Sequence, residues 1–309
     1  MACTGYVCFR TEGFYQMNGQ TSRRANGPIS LEDGTCGRRA VLHSVWSDQF
    51  ITYLLENGVV ELELNQAKGW LGQNLTFLDK VPWLEAFRIA DFTIRDIGPI
   101  HYLHNLRLLN VTTYCSTEIE FAAFPKLETC RLEWRPKATS VFSCVTLKDF
   151  FVNRYKGNDT APFAQLVNLE SLAILNAPVK NLLGLRDLIR LRSLRLANLR
   201  KLTSLAGIEK LVNLEDLNID TCKAIDSIEE VGSLPRLRKL NLNNDGNIES
   251  LKPLDNLKGL ELVVFYESTN ILDGDLTPLW RQKNLSRVSF QNRKHYSHKR
   301  EDFGAIYSK

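Results

Sequence analysis

The sequence has no apolar run of about 18 residues, so no transmembrane helix is expected. Its start, MACTGYVCFRTEGFYQ, lacks the apolar stretch of about 7–15 residues that a secretory leader needs. There is no GxxxxGK[ST] loop, no HExxH, no GxSxG and no cysteine–histidine pair in a recognisable context. These absences argue against an enzyme and against a bound cofactor. Histidine is scarce: His43, His101, His104, His295 and His298 complete the set. His101 and His104 are spaced by three, lack a third ligand and are expected to point outward. Cysteine is present in odd number and irregular spacing, at 3, 8, 36, 115, 130, 144 and 222. That fits free thiols in a reducing, cytoplasmic compartment better than a disulfide framework. Cys3, Cys8, Cys36 and His43 could be drawn as a zinc site, but no CxxC pair supports one.

Charge excess is also small. The net charge is +4, and residues 293–309 alone carry five basic and two acidic side chains. Arg293, Lys294, Lys299 and Arg300 are therefore most of the basicity, and a chain-wide nucleic-acid surface is excluded.

What the chain does have is leucine at fixed intervals. Residues 169–196, LESLAILNAPVKNLLGLRDLIRLRSLRL, and 214–242, LEDLNIDTCKAIDSIEEVGSLPRLRKLNL, both open with L-x-x-L-x-L/I. Each continues with an apolar residue at every third position. The opening alternation is strand periodicity. The later spacing of three is the 3₁₀ period rather than the α-helical 3.6. The leading apolar position falls at Val59, Leu84, Leu106, Leu127, Leu147, Leu169, Leu191, Leu214, Leu237, Leu257 and Leu285, which makes eleven units over 59–292. The final spacing, 28 residues, reads as an insertion, FYESTNILDGDLTPLW (265–280).

This pattern resembles the leucine-rich repeat family, in the short bacterial form of about 22 residues found in internalin-like and phosphatase-regulator-type proteins. The resemblance implies an α/β solenoid: a curved stack with a parallel concave sheet and a 3₁₀ or irregular convex side. The family often carries Asn at the ninth position. Here that position holds Phe92, Tyr114, Arg135, Tyr155, Ala177, Leu199, Cys222, Asp245, Phe265 and Arg293, so a continuous asparagine ladder is not expected.

Residues 46–58 read as a capping helix, with Ser47 as N-cap, a Trp46–Ile51 staple, and Phe50, Tyr53 and Leu54 on one face. Residues 1–45 give no assignable element. The segment 293–309 reads as a polar C-terminal cap, too short, like the N-terminal residues, to hold a catalytic domain.

In L-x-x-L-x-L the residues between the leucines face out of the sheet. They predict an acidic first edge (Glu61, Glu63) and a central group of Arg131, Glu133, Asp149 and Phe151, joined by Trp134 and Arg154 at the strand exits. Arg195, Asp216, Asn218, Asp220, Lys239 and Asn241 follow, and in unit ten Gly259, Glu261 and Val263. Exposed Trp, Phe and Arg are anchor types at protein interfaces. A protein partner on this face is the expectation. The architecture suggests an inhibitor, including an immunity protein against a toxin or effector. The alternative is nucleic acid or an anionic surface held by the basic tail, with salt-sensitive binding.

Overall fold

The computed structural model describes residues 27–306. Thirteen strands form one sheet in chain order. An antiparallel hairpin comes first, β1 (Ile29–Asp33) with β2 (Arg38–Leu42). A short helix, α1 (Phe50–Glu56), follows. The repeat strands are β3 (Val59–Asn65), β4 (Ala86–Ala90), β5 (Leu108–Thr112), β6 (Thr129–Glu133), β7 (Asp149–Asn153), β8 (Ser171–Leu175), β9 (Ser193–Ala197), β10 (Asp216–Asp220) and β11 (Lys239–Asn243). A two-residue strand, β12 (Asn247–Ile248), leaves the main sheet before β13 (Leu262–Tyr266). It pairs with β14 (Asn270–Ile271), and the chain then forms α2 (Thr277–Trp280) and β15 (Arg287–Phe290).

All neighbours from β2 to β15 in the main sheet run parallel. Leu172, Leu194, Leu217, Leu240, Val263 and Val288 stack across six strands, and all are buried. The return legs are 3₁₀ turns, for example Leu183–Leu185, Ile208–Lys210 and Glu229–Ser233. Val179, Leu182, Leu185, Leu188 and Leu191 all point into the core, as period three requires. One unit cannot cover these side chains alone, so stacking is what buries them, at about 1.5–3 kcal/mol for each large aliphatic side chain.

Four expectations are corrected. The tenth unit starts at Leu260, not Leu257, because Val263 pairs with Leu240 and Phe265 with Leu242. The 28-residue interval becomes 25, and Phe265 is a core strand residue rather than a turn residue. The helix begins at Phe50 with Gln49 as its cap residue, and Ser47 makes only a turn ahead of it. Trp46 stacks on Phe77 at 4.0 Å and meets Phe50 edge-on, while Tyr53 is exposed and Leu54 alone of the helix is buried. Residues 27–45, which offered no element, supply the hairpin that extends the sheet by two strands. His101 does not point outward: Gly98 O holds its Nδ1 at 2.7 Å, Glu120 N–H donates to its Nε2 at 2.9 Å, and its ring stacks on Phe124.

The missing ladder also has a structural answer. Asn176, Asn198, Thr221, Asn244 and Glu267 all have left-handed backbones, with Arg154 before them. They occupy the eighth position of units five to ten, one residue earlier than the family's asparagine. Asn176 Nδ2 donates to Asn153 Oδ1 and Asn198 Nδ2 to Asn176 Oδ1; farther on, Asn244 Nδ2 donates to Thr221 Oγ1 and Ser268 Oγ to Asn244 Oδ1. The polar ladder therefore runs along the rim instead of inside the turn. Asn tolerates this conformation because its short amide bonds locally.

Candidate partner-binding face

The open face of the sheet carries three rows of side chains, set by the register. The middle row reads Glu63, Arg88, Asn110, Arg131, Phe151, Ala173, Arg195, Asn218, Asn241, Val264 and Ser289. Unit ten contributes Leu262, Val264 and Tyr266, in place of the expected Gly259, Glu261 and Val263.

The expected acidic edge is not available. The turn of the β1–β2 hairpin lies over it, with the Cys36 N–H donating to Glu61 Oε1. A Cβ at Gly34 would collide with the same carboxylate, so the turn approaches as closely as glycine allows. Arg88 lies 3.8 Å from Glu61, and Lys68 and Arg39 pair with Glu63 at 2.9 and 3.6 Å. Glu61 is 0% and Glu63 7% exposed. Burial raises the Glu63 pKa, but Lys68, Asn65 and Arg39 together hold it below its ordinary value.

The central group is smaller than the sequence suggests. Arg131 sits over the Phe151 ring at 5.8 Å and 3.8 Å from Asp149. Burial raises the Asp149 pKa and Arg131 opposes it. Trp134 is not on this face. It is half-buried, edge-on to Tyr155 at 4.9 Å and tilted against Phe142 at 5.7 Å. Arg154, at the equivalent position one unit on, has φ 62 and projects to the rim, where it pairs with Glu133 at 3.4 Å. Glu133 also accepts from Asn153 Nδ2 at 2.7 Å.

Farther along, Arg195, Asn218 and Asn241 are direct cross-strand partners. Asn218 Oδ1 and Asn241 Oδ1 are shielded and accept no hydrogen bond from any described group. Burial raises the Asp216 pKa, with its cross-strand partner Lys239 opposing. The Thr221 hydroxyl donates to Asp220. Shielded acceptors on an accessible face are costly until a donor reaches them.

A second regularity lies on the strand-start rim. From unit two to unit ten, the residue after the leading position reads Glu85, Arg107, Glu128, Lys148, Glu170, Arg192, Glu215, Arg238, Glu261, nine charges that alternate in sign. Arg107 bridges Glu85 at 3.5 Å and Glu128 at 3.1 Å, Lys148 reaches Glu128 at 2.9 Å, and Arg238 reaches Glu261 at 2.8 Å. The alternation was readable in the sequence and fixes unit ten at Leu260, since Glu261 follows Arg238 in turn.

The basic tail is bonded into the end of the stack. Arg293 donates to the Glu267 and Thr269 carbonyls, Tyr296 OH accepts from Ile271 N–H, and Arg300 donates to Tyr266 OH. His298 stacks on Trp280, and His295 Nε2 meets Ile271 O. Lys294 and Lys299 remain exposed. Of the drawn zinc ligands, Cys3 and Cys8 lie outside the described residues. His43 uses both ring nitrogens, on Ser30 Oγ at 2.8 Å and Lys68 O at 2.5 Å. No helix of the described residues is long and apolar enough to cross a membrane.

No protein-family model and no curated protein matches the sequence. Solved structures do match in fold. An internalin (inlF) from Listeria monocytogenes superposes with a TM-score of 0.62 and 20% identity, over 87% of this chain and 84% of that one. The functional domain of InlJ from the same organism, which includes a cysteine ladder, gives 0.57 and 16% identity over 74% of this chain and 48% of that one. Consecutive parallel strands, 3₁₀ return legs and these likenesses agree: the chain is a leucine-rich repeat solenoid, similar in fold to the Listeria internalins.

Proposed function

We propose that the chain is a non-enzymatic binding module that grips a partner protein on its open sheet face and blocks it, as an inhibitor or immunity protein does. The observation that carries this reading is the run from Arg131 to Asn241. It combines an arginine stacked on an aromatic ring with shielded acceptors that lack donors. Desolvated carboxylates Asp149 and Asp216 lie in the same run. A partner that brings donors to Asn218 and Asn241 and covers Phe151 would offset those desolvation costs. The hairpin over Glu61 and the tail at the last strand occupy the two ends of the face, and the run from Arg131 to Asn241 between them supports a footprint on β6 to β11. We place the protein in the cytoplasm, on the argument that the five described cysteines are all free thiols.

The test is a crosslinking pull-down from the native cell with the parent chain, Phe151→Ala and Arg195→Glu. One stoichiometric protein is expected with the parent and is lost with both variants. Recovery of no protein, or equal recovery with all three, refutes the reading. The tail alternative draws no support from Arg293 and Arg300, whose guanidinium groups are bonded within the fold.

A further inference from the structure

Arg135 occupies the ninth position of unit four, which the family gives to a buried asparagine. It is 3% exposed, its Nε has no hydrogen-bond partner, and no carboxylate pairs with it among the described residues. A buried guanidinium stays charged, so it needs a negative or strongly accepting neighbour. Its neighbour is a sulfur. Arg135 Nη1 lies 3.2 Å from Cys115 Sγ, on the exit of unit three. Its Nη2 donates to Thr113 Oγ1 at 2.8 Å and to the Thr113 carbonyl at 3.4 Å, both uncharged acceptors. The bond to Oγ1 occupies a lone pair of that oxygen and leaves its proton free for Cys115 Sγ, 3.3 Å away. Two donors converge on one partly exposed sulfur atom, and one of them is a buried cation without another counter-charge among the described residues.

We infer that Cys115 is held as a thiolate against Arg135 and is a modification site for small disulfides and soft electrophiles. With a low-molecular-weight disulfide, the Cys115 thiolate attacks one sulfur. A new S–S bond forms to Sγ, the original S–S bond breaks, and the second sulfur leaves as a thiolate carrying the electron pair. No external oxidant is needed, and the negative charge passes to the leaving group. Burial raises the Cys115 pKa, but its surroundings, led by the Thr113 and Arg135 donors, outweigh it and leave it below the ordinary thiol value. The other described cysteines move the opposite way. Burial raises Cys36, Cys130 and Cys144, and pushes Cys222 up to about 12.

Modification removes the charge partner of Arg135, which joins units three and four directly beside the strand that carries Arg131. The inference is independent of any partner, so its test is separate from the pull-down. The full chain is treated with iodoacetamide across a pH series, and with oxidised glutathione at neutral pH, and the adducts are mapped by peptide mass. Cys115 is expected to show an alkylation midpoint below that of free glutathione, and to be the first of the five described cysteines to form the mixed disulfide. Arg135→Met should slow its alkylation at neutral pH roughly tenfold. Thr113→Val, which keeps the cation, should give a smaller shift in the same direction and covers the case in which Arg135→Met fails to fold. A Cys115 midpoint equal to that of glutathione, or no adduct at Cys115 while another described cysteine reacts, overturns the inference.

Discussion

Asp245 offers a measurable test of how the turns satisfy their backbone. It stands at the ninth position, where the family has asparagine, and differs from asparagine by one atom. Its Oδ1 accepts the Cys222 N–H at 2.7 Å, and its own N–H donates to Thr269 Oγ1. Its Oδ2 is buried and accepts no hydrogen bond from any described group. Burial pushes its pKa from 3.8 up to about 7, with Asp220 adding and the Cys222 N–H opposing. A carboxyl raised on folding destabilises the fold wherever the unfolded chain would be ionised. The penalty is absent below about pH 4, grows as pH rises, and is complete above the folded value. A rise from 3.8 to about 7 corresponds to about 4 kcal/mol. Asp245→Asn removes the charge, keeps the bond to Cys222, and leaves the buried amide NH2 group without a partner, which costs about 1–3 kcal/mol. The net gain above pH 7 is then about 2 kcal/mol. Urea denaturation of both chains from pH 5 to pH 8 should show the parent losing stability relative to the variant up to about pH 7 and a constant gap beyond it. Parallel pH profiles, or a variant less stable than the parent at pH 8, would refute the reasoning.

Thr221 is the β-branched member of the left-handed series, at φ 58, a conformation such residues rarely adopt. Thr221→Asn should raise the thermal midpoint, by about 0.5–1 kcal/mol in stability, and continue the rim ladder; a lower midpoint would show that the Thr221–Asp220 bond outweighs the strain. Glu128→Lys places a cation between Arg107 and Lys148 and removes two ion pairs. It should cost about 1 kcal/mol at low salt and less at high salt, read by the same melts.

Most of the fold was legible because a solenoid is a local code. Each unit touches only its neighbours, so the spacing of Leu169, Leu172 and Ile174 already states a strand and its inward face. The same locality explains the slip in unit ten. Leu257, Leu260 and Leu262 satisfy L-x-x-L-x-L as well as Leu260, Val263 and Phe265 do, because the return leg and the first step of the motif both have a spacing of three. The alternating rim charges break that degeneracy. The hairpin was not legible, since ISLED and RRAVL are short and become strands only by pairing with β3 and with each other.

The open face of the sheet was legible in register but not in exposure. Alternation alone correctly puts Glu61 and Glu63 opposite the core, yet nothing local says that residues 34–37 will fold across them. Trp134 shows the complementary limit. It shares the eighth position with Arg154, Asn176 and Asn198, and one backbone angle decides whether that side chain goes out or in. Units with a left-handed residue there send it to the rim, whereas unit four, without one, tucks Trp134 against Tyr155 and Phe142. That same turn carries Arg135 into the interior, beside Cys115. The irregular fourth unit thus withdraws an aromatic anchor from the open face, while its ninth position, interior here as in units five to nine, holds the buried cation that sets the thiol's chemistry.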